Sequence, residues 1–433
     1  MLAGGGVALL VLSLALHAYT VHKDREHLWF MIDLAVYRWG GEQAALGRSV
    51  YESKYIGYLP FTYPPIAAVL FVPLNDLKFK DLRMVSQVVS IAALAWTMWA
   101  SIGALGRRAV LERVALVTAL TAVVLWLEPV QQTLRLGQVN LILLAVTVID
   151  LCRPDSARTK GIGVGIAAGI KLTPAIFIVY LLVTRRTRAG VVAIGTVLAT
   201  IALGFVVLPS DSWRFWAERT FADADRIGAV AYVGNQSVHG FIARLLGGPA
   251  AADPWWMLAS LTIGVIGLYV AARVHETGRE LHAVLLCALT GLLVSPISWS
   301  HHWVWAAPGL AAAVDAALRR RTRGRWTACA ALALLAGAWF FHLRPGARLL
   351  PQGLIWLAPL APDPTGQGTV VQDVLGNLYV LCGLGVFAWS LAAAVGQRRA
   401  GRSAAVDLAE GLREPALGEP ALGRVAGRPL PQQ

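Results

Sequence analysis

Long apolar stretches recur along almost the whole of this sequence, and the loops between them are short and rich in arginine. A helix needs roughly 20 mostly apolar residues to cross a bilayer. Nine stretches approach or reach that length: Leu2 to Tyr19, Leu82 to Leu105, Val110 to Leu127, Val191 to Leu208, Trp255 to Arg273, Leu281 to Ser295, Trp303 to Leu318, Trp326 to His342 and Val374 to Val395. A tenth, Val139 to Cys152, is short and is expected to extend a few residues upstream. Backbone polar groups in hydrocarbon need partners within the protein, so such a chain is read as an all-α polytopic membrane protein. Composition agrees, since 57% of the 433 residues are hydrophobic and only 15% are charged, a balance foreign to water-soluble domains.

Leu2 to Ala18 resembles a secretory leader. No basic residue precedes it, however, and no clear small-residue cleavage site follows His17, so it is read as an uncleaved first span. The net charge of +13 would suit nucleic acid, but the arginines cluster in loops where they orient helices against a membrane, and no nucleic-acid partner is expected. Cys152, Cys287, Cys329 and Cys382 lie in or beside apolar stretches without metal-type spacing and are read as packing residues.

Basic clusters mark the cytoplasmic ends of spans. Those around Arg107, Arg153, Arg185, Arg273, Arg319 and Arg398 can share one side only if Gly161 to Leu182, basic at both ends, enters the membrane and returns. That segment reads "GIGVGIAAGIKLTPAIFIVYLL". Pro174 disfavours helix at Thr173 and removes a donor, which predicts two half-helices joined near Lys171. The alternative is one kinked span with a basic loop outside. Broken backbone at membrane depth is tolerated where it is buried in protein or lines a polar cavity. "YPPIAAVLFVPLNDL", Tyr63 to Leu77, is too short to span and is placed as an external dipping segment. About ten to twelve full or partial helices result. The loops Val21 to Asp81, Glu128 to Gln138, Pro209 to Pro254, Ser298 to His302 and Phe341 to Asp373 then fall on the outer face. Residues 1–396 form the membrane domain, and 397–433, with the doublet "EPALGEPALG", read as a disordered cytoplasmic tail.

Several polar groups on the outer face need a reason. Asp33 opens an amphipathic stretch flanked by Trp29 and Trp39 as interfacial anchors; aspartate is a good N-cap, which is the plain reading of it. "LPFTYPP", containing Tyr63, is a rigid aromatic turn suited either to flooring a sugar site or to ordinary interfacial structure. "LRLGQVN" places Arg135, Gln138 and Asn140 together at a helix entry. An intramembrane Lys171 needs either a carboxylate partner or an anionic ligand. "VGNQSVHGF" offers the amides of Asn235 and Gln236, which donate and accept as sugar hydroxyls require but are also turn chemistry. "SPISWSHHWVW" puts His301 and His302 at the mouth of two spans, able to bind metal or to protonate or hydrogen-bond a phosphate. Metal is the weakest of these readings, because no second ligand set appears at suitable spacing.

Taken together, "DLAVYRWGG" with "PFTYPP", "RLGQVNLILL", "GIAAGIKLTP" and "SPISWSHH" resemble, in the same order, glycosyltransferase family 87, the polyprenol-phosphate-mannose-dependent α-1,2-mannosyltransferases of actinobacterial envelopes. The resemblance covers roughly residues 30–305. It implies a GT-C type membrane fold, an active site at the external face of the plasma membrane, a polyprenyl phosphomannose donor and a mannosylated glycolipid or lipoglycan acceptor. It also implies that Asp33 is the catalytic base and that His301 or His302 is the family's histidine. Transfer would be inverting, with Lys171, Arg135 and the histidines meeting the donor phosphate, and Tyr37, Tyr63, Gln138, Asn140, Asn235 and Gln236 placed around sugar and acceptor. No metal or other cofactor is expected. A flippase for a lipid-linked saccharide is the competing class; it predicts repeat symmetry between halves, and the long loops do not match in pattern. A related transferase using another lipid-phosphate sugar is not separated by residue types.

Overall fold

The computed structural model describes residues 2–23, 30–106, 108–223, 226–320, 322–341, 350–359 and 369–411. Among these the chain is a bundle of α-helices with two minor two-stranded ribbons. Five helices are long and apolar enough to cross a membrane: α1 (Leu2–Lys23), α4 (Phe79–Ala104), α10 (Thr187–Val207), α13 (Pro249–His275) and the first part of α18 (Leu378–Gly411). Between them in chain order lie α2 (Ile32–Ala45), α3 (Pro65–Phe71), α5 (Val110–Val124), α6 (Glu128–Leu136), α7 (Asn140–Leu151), α8 (Ile162–Ile170) and α9 (Ile176–Val183). After α10 come α11 (Pro209–Trp216), α12 (Val238–Leu246), α14 (Glu280–Val294), α15 (Ala306–Arg320), α16 (Arg323–Ala336) and α17 (Val370–Gly376).

The other five expected spans are rods of 12 to 15 residues, α5, α7, α14, α15 and α16. Such rods are about 18–22 Å long, short of the roughly 30 Å hydrocarbon layer. Burial gives the reason for α7: nine of its 12 residues are buried, whereas only 17% of the apolar window of α1, α10 or α13 is. A helix wrapped by protein has no lipid thickness to match. The expected upstream extension of α7 is also absent. Gly137 ends α6 in the left-handed region (φ 70), and a Cβ there would press on Met31 and Leu34 of the neighbouring segment, so the chain turns sharply and α7 starts afresh at Asn140.

Gly161 to Leu182 is a helical hairpin. Lys171 takes an extended conformation (φ −144, ψ 127) between α8 and a short 3₁₀ turn at Thr173–Ala175. Gly161 abuts Ala189 and Ala193 of α10, and Leu181 and Leu182 abut Gly190, so both feet of the hairpin stand at the same end of α10. Gly165 and Gly169 face the side chains of Thr196 and Thr200, and the missing Cβ atoms let α8 lie close alongside α10. The feet are clamped by charge. Asp155 pairs with Lys160 at 2.7 Å, Glu280 pairs with Arg186 at 2.7 Å, and Asp150 accepts from the N–H groups of Gly161 and Val164 at 2.9 and 3.1 Å. The basic loops that flank the hairpin thus gather at one end of α10 with the start of α14, and the hairpin tip points the other way.

Two local expectations change. Helix α2 does not start at Asp33: Met31 is its N-cap, in a left-handed conformation (φ 47, ψ 54) whose N–H donates to the Arg135 carbonyl at 3.1 Å. Nor does α2 lie on a surface, because Leu34, Ala35, Val36, Tyr37, Gly40 and Gly41 are buried, packed in an aromatic cluster with Phe61, Tyr63 and Phe71. The Tyr63–Leu77 segment is the expected short element, seven residues of α3 followed by a 3₁₀ turn. Trp29 and residues 412–433 lie outside the described residues, and the backbone of α18 is helical as far as Gly411.

Candidate active site

Residues from five separate elements meet at the hairpin tip. Asp33 stands in the first turn of α2, and its Oδ2 accepts from Nε2 of Gln138 at 2.7 Å. The orientation of that amide is set by two phenols. Tyr37 and Tyr63 lie 2.7 and 3.0 Å from Gln138 Oε1 and 2.6 Å from each other. Two hydroxyl protons serve three contacts, so at least one phenol donates to the amide oxygen in either arrangement, which turns the amide NH₂ toward Asp33.

Lys171 sits on the other side. Its ammonium donates to Asn140 Oδ1 at 2.9 Å and to His302 Nε2 at 3.2 Å, and lies 5.5 Å from the centre of the Tyr63 ring. Asn140 in turn donates to the His301 carbonyl at 3.0 Å, as does the Thr133 hydroxyl at 3.2 Å, so the histidine turn, α6 and α7 are tied to the lysine. Lys171 takes part in none of the ion pairs formed by described residues. The Asp33 carboxylate feels its charge from farther off.

Accessibility divides the cluster. Asp33, Lys171 and His302 keep part of their surface open, whereas Tyr37, Tyr63, Gln138, Asn140 and His301 are buried. Asn140, Lys171 and His302 line a cleft that continues between α7, α9 and α14 past Leu143, Leu144, Phe177 and Trp305. It is polar at the hairpin tip and apolar beyond. Burial pushes the Asp33 carboxyl from 3.8 up to about 6, against the opposing pull of the Gln138 hydrogen bond and the Lys171 charge. Burial, with Lys171 next, holds both imidazoles well below their usual range. His302 is therefore a neutral hydrogen-bonding group near neutral pH, and the positive charge in the site is the lysine's. Among the described residues no three His, Cys, Asp or Glu side chains gather as a metal set.

Asn235 and Gln236 belong elsewhere. Asn235 is fully buried, donates to the carbonyls of Val230 and Pro296 and accepts from the N–H groups of Ser237 and Ser298. Gln236, equally buried, donates to the carbonyls of Val233 and Gly376 and accepts from Tyr379 N–H. Their amides are used up on backbone, and nothing remains for a sugar. They buttress the strand-like contact of Asn235 with Trp299 that leads into the histidine turn. Asn235→Ala is expected to lower stability by about 3 kcal/mol or more, since it strands two N–H and two C=O groups. A clear drop in the thermal unfolding midpoint checks this, and an unchanged midpoint with weakened acceptor binding would restore the sugar-binding reading.

Arg135 lies at the edge of the cluster, half-buried, with its charge acting on Glu128 and Tyr232. Glu128 went unnoticed in the sequence. Its buried carboxylate accepts from Ser300 (2.9 Å), Trp356 (2.8 Å) and Tyr379 (2.8 Å) and so anchors the turn before His301. An acid following an apolar span was the available signal, but its three partners lie 172 to 251 residues downstream.

A family model, Glycosyltransferase family 87, matches residues 61–296, more than half of the chain. The chain belongs to glycosyltransferase family 87. The match takes in Tyr63, Gln138, Asn140 and Lys171, while Asp33 and the histidines flank it. A Mycobacterium tuberculosis protein named polyprenol-phosphate-mannose-dependent alpha-(1-2)-phosphatidylinositol mannoside mannosyltransferase is 33% identical over 342 residues, covering 75% of this chain and 78% of its own. A Mycolicibacterium smegmatis protein of the same name is 32% identical over 72% of this chain and 75% of its own. A second M. tuberculosis protein, named for phosphatidylinositol pentamannoside, is 37% identical over 62% of this chain and 61% of its own. No solved structure matches. This family 87 member is thus a membrane glycosyltransferase.

Proposed function

We propose that the protein is an inverting mannosyltransferase that moves mannose from a polyprenyl phosphomannose donor to a mannosylated phosphatidylinositol lipid, in α-1,2 linkage, at the outer face of the plasma membrane. The observation that carries this reading is the gathering of one partly exposed carboxylate, Asp33, and one partly exposed cation, Lys171, whose charges act on each other at the hairpin tip, with Lys171 at the polar end of a cleft that is apolar beyond. In the reaction an acceptor hydroxyl oxygen attacks the anomeric carbon of the β-linked donor, its proton passes to Asp33, and the bond from that carbon to the phosphate oxygen breaks. The leaving polyprenyl phosphate carries the bonding pair and is met by the Lys171 ammonium, with His302 as a neutral neighbour that holds the lysine in place. Gln138, Tyr37 and Tyr63 orient Asp33, and Asn140 orients Lys171. The apolar part of the cleft suits the first isoprene units. The outer face follows if the basic end of the bundle is cytoplasmic, and the donor and acceptor classes are those of the named relatives.

Purified full-length protein in nanodiscs, supplied with synthetic polyprenyl phosphomannose and a phosphatidylinositol mannoside, is expected to form a new α-1,2 bond, read by NMR of the product. A β product overturns the inverting mechanism. In proteoliposomes, movement of the donor across the bilayer without any new glycosidic bond favours a flippase instead.

A further inference from the structure

The reaction proposed above involves two lipids that each bear a phosphate, and Lys171 accounts for the donor's alone. A second cationic cluster lies on another flank of α2. Arg38, from α2, and Arg83, from the first turns of α4, both approach the ring of Phe79, with guanidinium carbons 5.9 and 4.4 Å from its centre. Asn75 donates to the Arg38 carbonyl at 3.2 Å, and Arg83 reaches the Phe30 carbonyl at 3.4 Å. Neither arginine takes part in the ion pairs formed by described residues. The Nε atoms of both are buried and have no hydrogen-bond partner among the described residues.

The surroundings are those of a lipid headgroup. Phe30, Met84 and Val85 are exposed apolar residues at the same end of α4, and Lys78 and Lys80 are exposed beside them. Two guanidiniums that share an aromatic ring and have no carboxylate in contact among the described residues, although Asp76 and Asp81 are exposed nearby in sequence, form a fork for an anion with oxygens on two sides, and the apolar flank fits the chains of a molecule whose head is that anion. We propose that Arg38 and Arg83 seat the phosphodiester of the acceptor lipid, a glycosylated glycerophospholipid. The assignment rests on the transferase reading of Asp33. Arg38 follows Asp33 by five residues on one helix, a rise of about 7.5 Å. The receiving hydroxyl and the phosphodiester are therefore only a few sugars apart, which selects a short glycolipid over the far end of a long polymannan.

The test compares wild type with Arg38→Gln/Arg83→Gln on two acceptors, a phosphatidylinositol mannoside and octyl α-mannoside, which carries no phosphate. The ratio of kcat/KM for the first over the second is expected to fall about ten-fold or more, through KM, for loss of charge-assisted bonds. Arg38→Lys/Arg83→Lys should recover part of it, and an unchanged ratio overturns the proposal. A second arm needs no turnover: native mass spectrometry of the purified protein with phosphatidylinositol or with diacylglycerol. Loss of the phosphatidylinositol adduct in the glutamine variant supports the site even if no mannose is transferred. Equal adducts in both proteins, or displacement of the lipid by millimolar inositol phosphate, overturns a lipid phosphodiester seat.

Discussion

Asp33→Asn is expected to lower mannosyl transfer by about 10²- to 10⁴-fold, the range for removing a general base. The variant is a fair test because its shape is kept. The asparagine oxygen still accepts from Gln138, whose amide is oriented by Tyr37 and Tyr63, so the unfolding midpoint should move little. The effect should reside in kcat, since the acceptor hydroxyl is still held while its proton has nowhere to go. The same group sets the acid limb of the pH profile. Asp33 works only when ionised, and burial places its carboxyl at about 6 rather than 3.8. Wild-type kcat/KM should therefore decline as pH falls through about 6, roughly ten-fold per unit below it, and the residual activity of Asp33→Asn should show no such limb. A wild-type rate that is flat down to pH 4.5 would remove Asp33 from the role.

Lys171→Met should reduce kcat/KM by about 10²- to 10³-fold, the scale for losing one preorganised charge that stabilises a transition state. Methionine fills much of the same volume, and the described residues leave no ion pair behind to be broken. The loss is therefore expected at the donor and not in folding. Polyprenyl phosphate, the leaving group, should inhibit wild type and bind Lys171→Met at least about ten-fold more weakly. Lys171→Arg should recover part of the binding but less of the rate, because a planar fork does not fit a niche formed by Asn140 and His302 around a compact ammonium. If the methionine variant binds polyprenyl phosphate as wild type does, the cation serves structure alone.

The two predictions depend on parts of the chain that differed in how far they could be read from residues. The hairpin was legible because three local facts agreed: basic residues at both ends, a lysine in the middle, and Pro174 forbidding continuous helix. The local reading of Asp33 as an N-cap failed. Met31 takes the cap position in a left-handed conformation that only the contact with Arg135 accounts for. Asn235 and Gln236 show the opposite error. Amides in a polar loop look available in one dimension, yet backbone segments from Val230 to Tyr379 converge on them and use every donor and acceptor of Asn235.

What the sequence alone determined was the solvent and the punctuation: apolar stretches and arginine loops demand a helical membrane body, and Pro174 with Lys171 demands a break in it. These are properties of short segments, where backbone polar groups must be satisfied nearby whatever the rest of the chain does. Only the tertiary structure decided which polar residues of the cluster keep part of their surface open and which are buried. That choice separates Asp33, Lys171 and His302 from Tyr37, Tyr63, Gln138, Asn140 and His301, and it depends on hydrogen bonds between residues up to 168 positions apart. No local pattern encodes such pairings, because each amide, phenol or imidazole could serve either purpose until the fold supplies its partner.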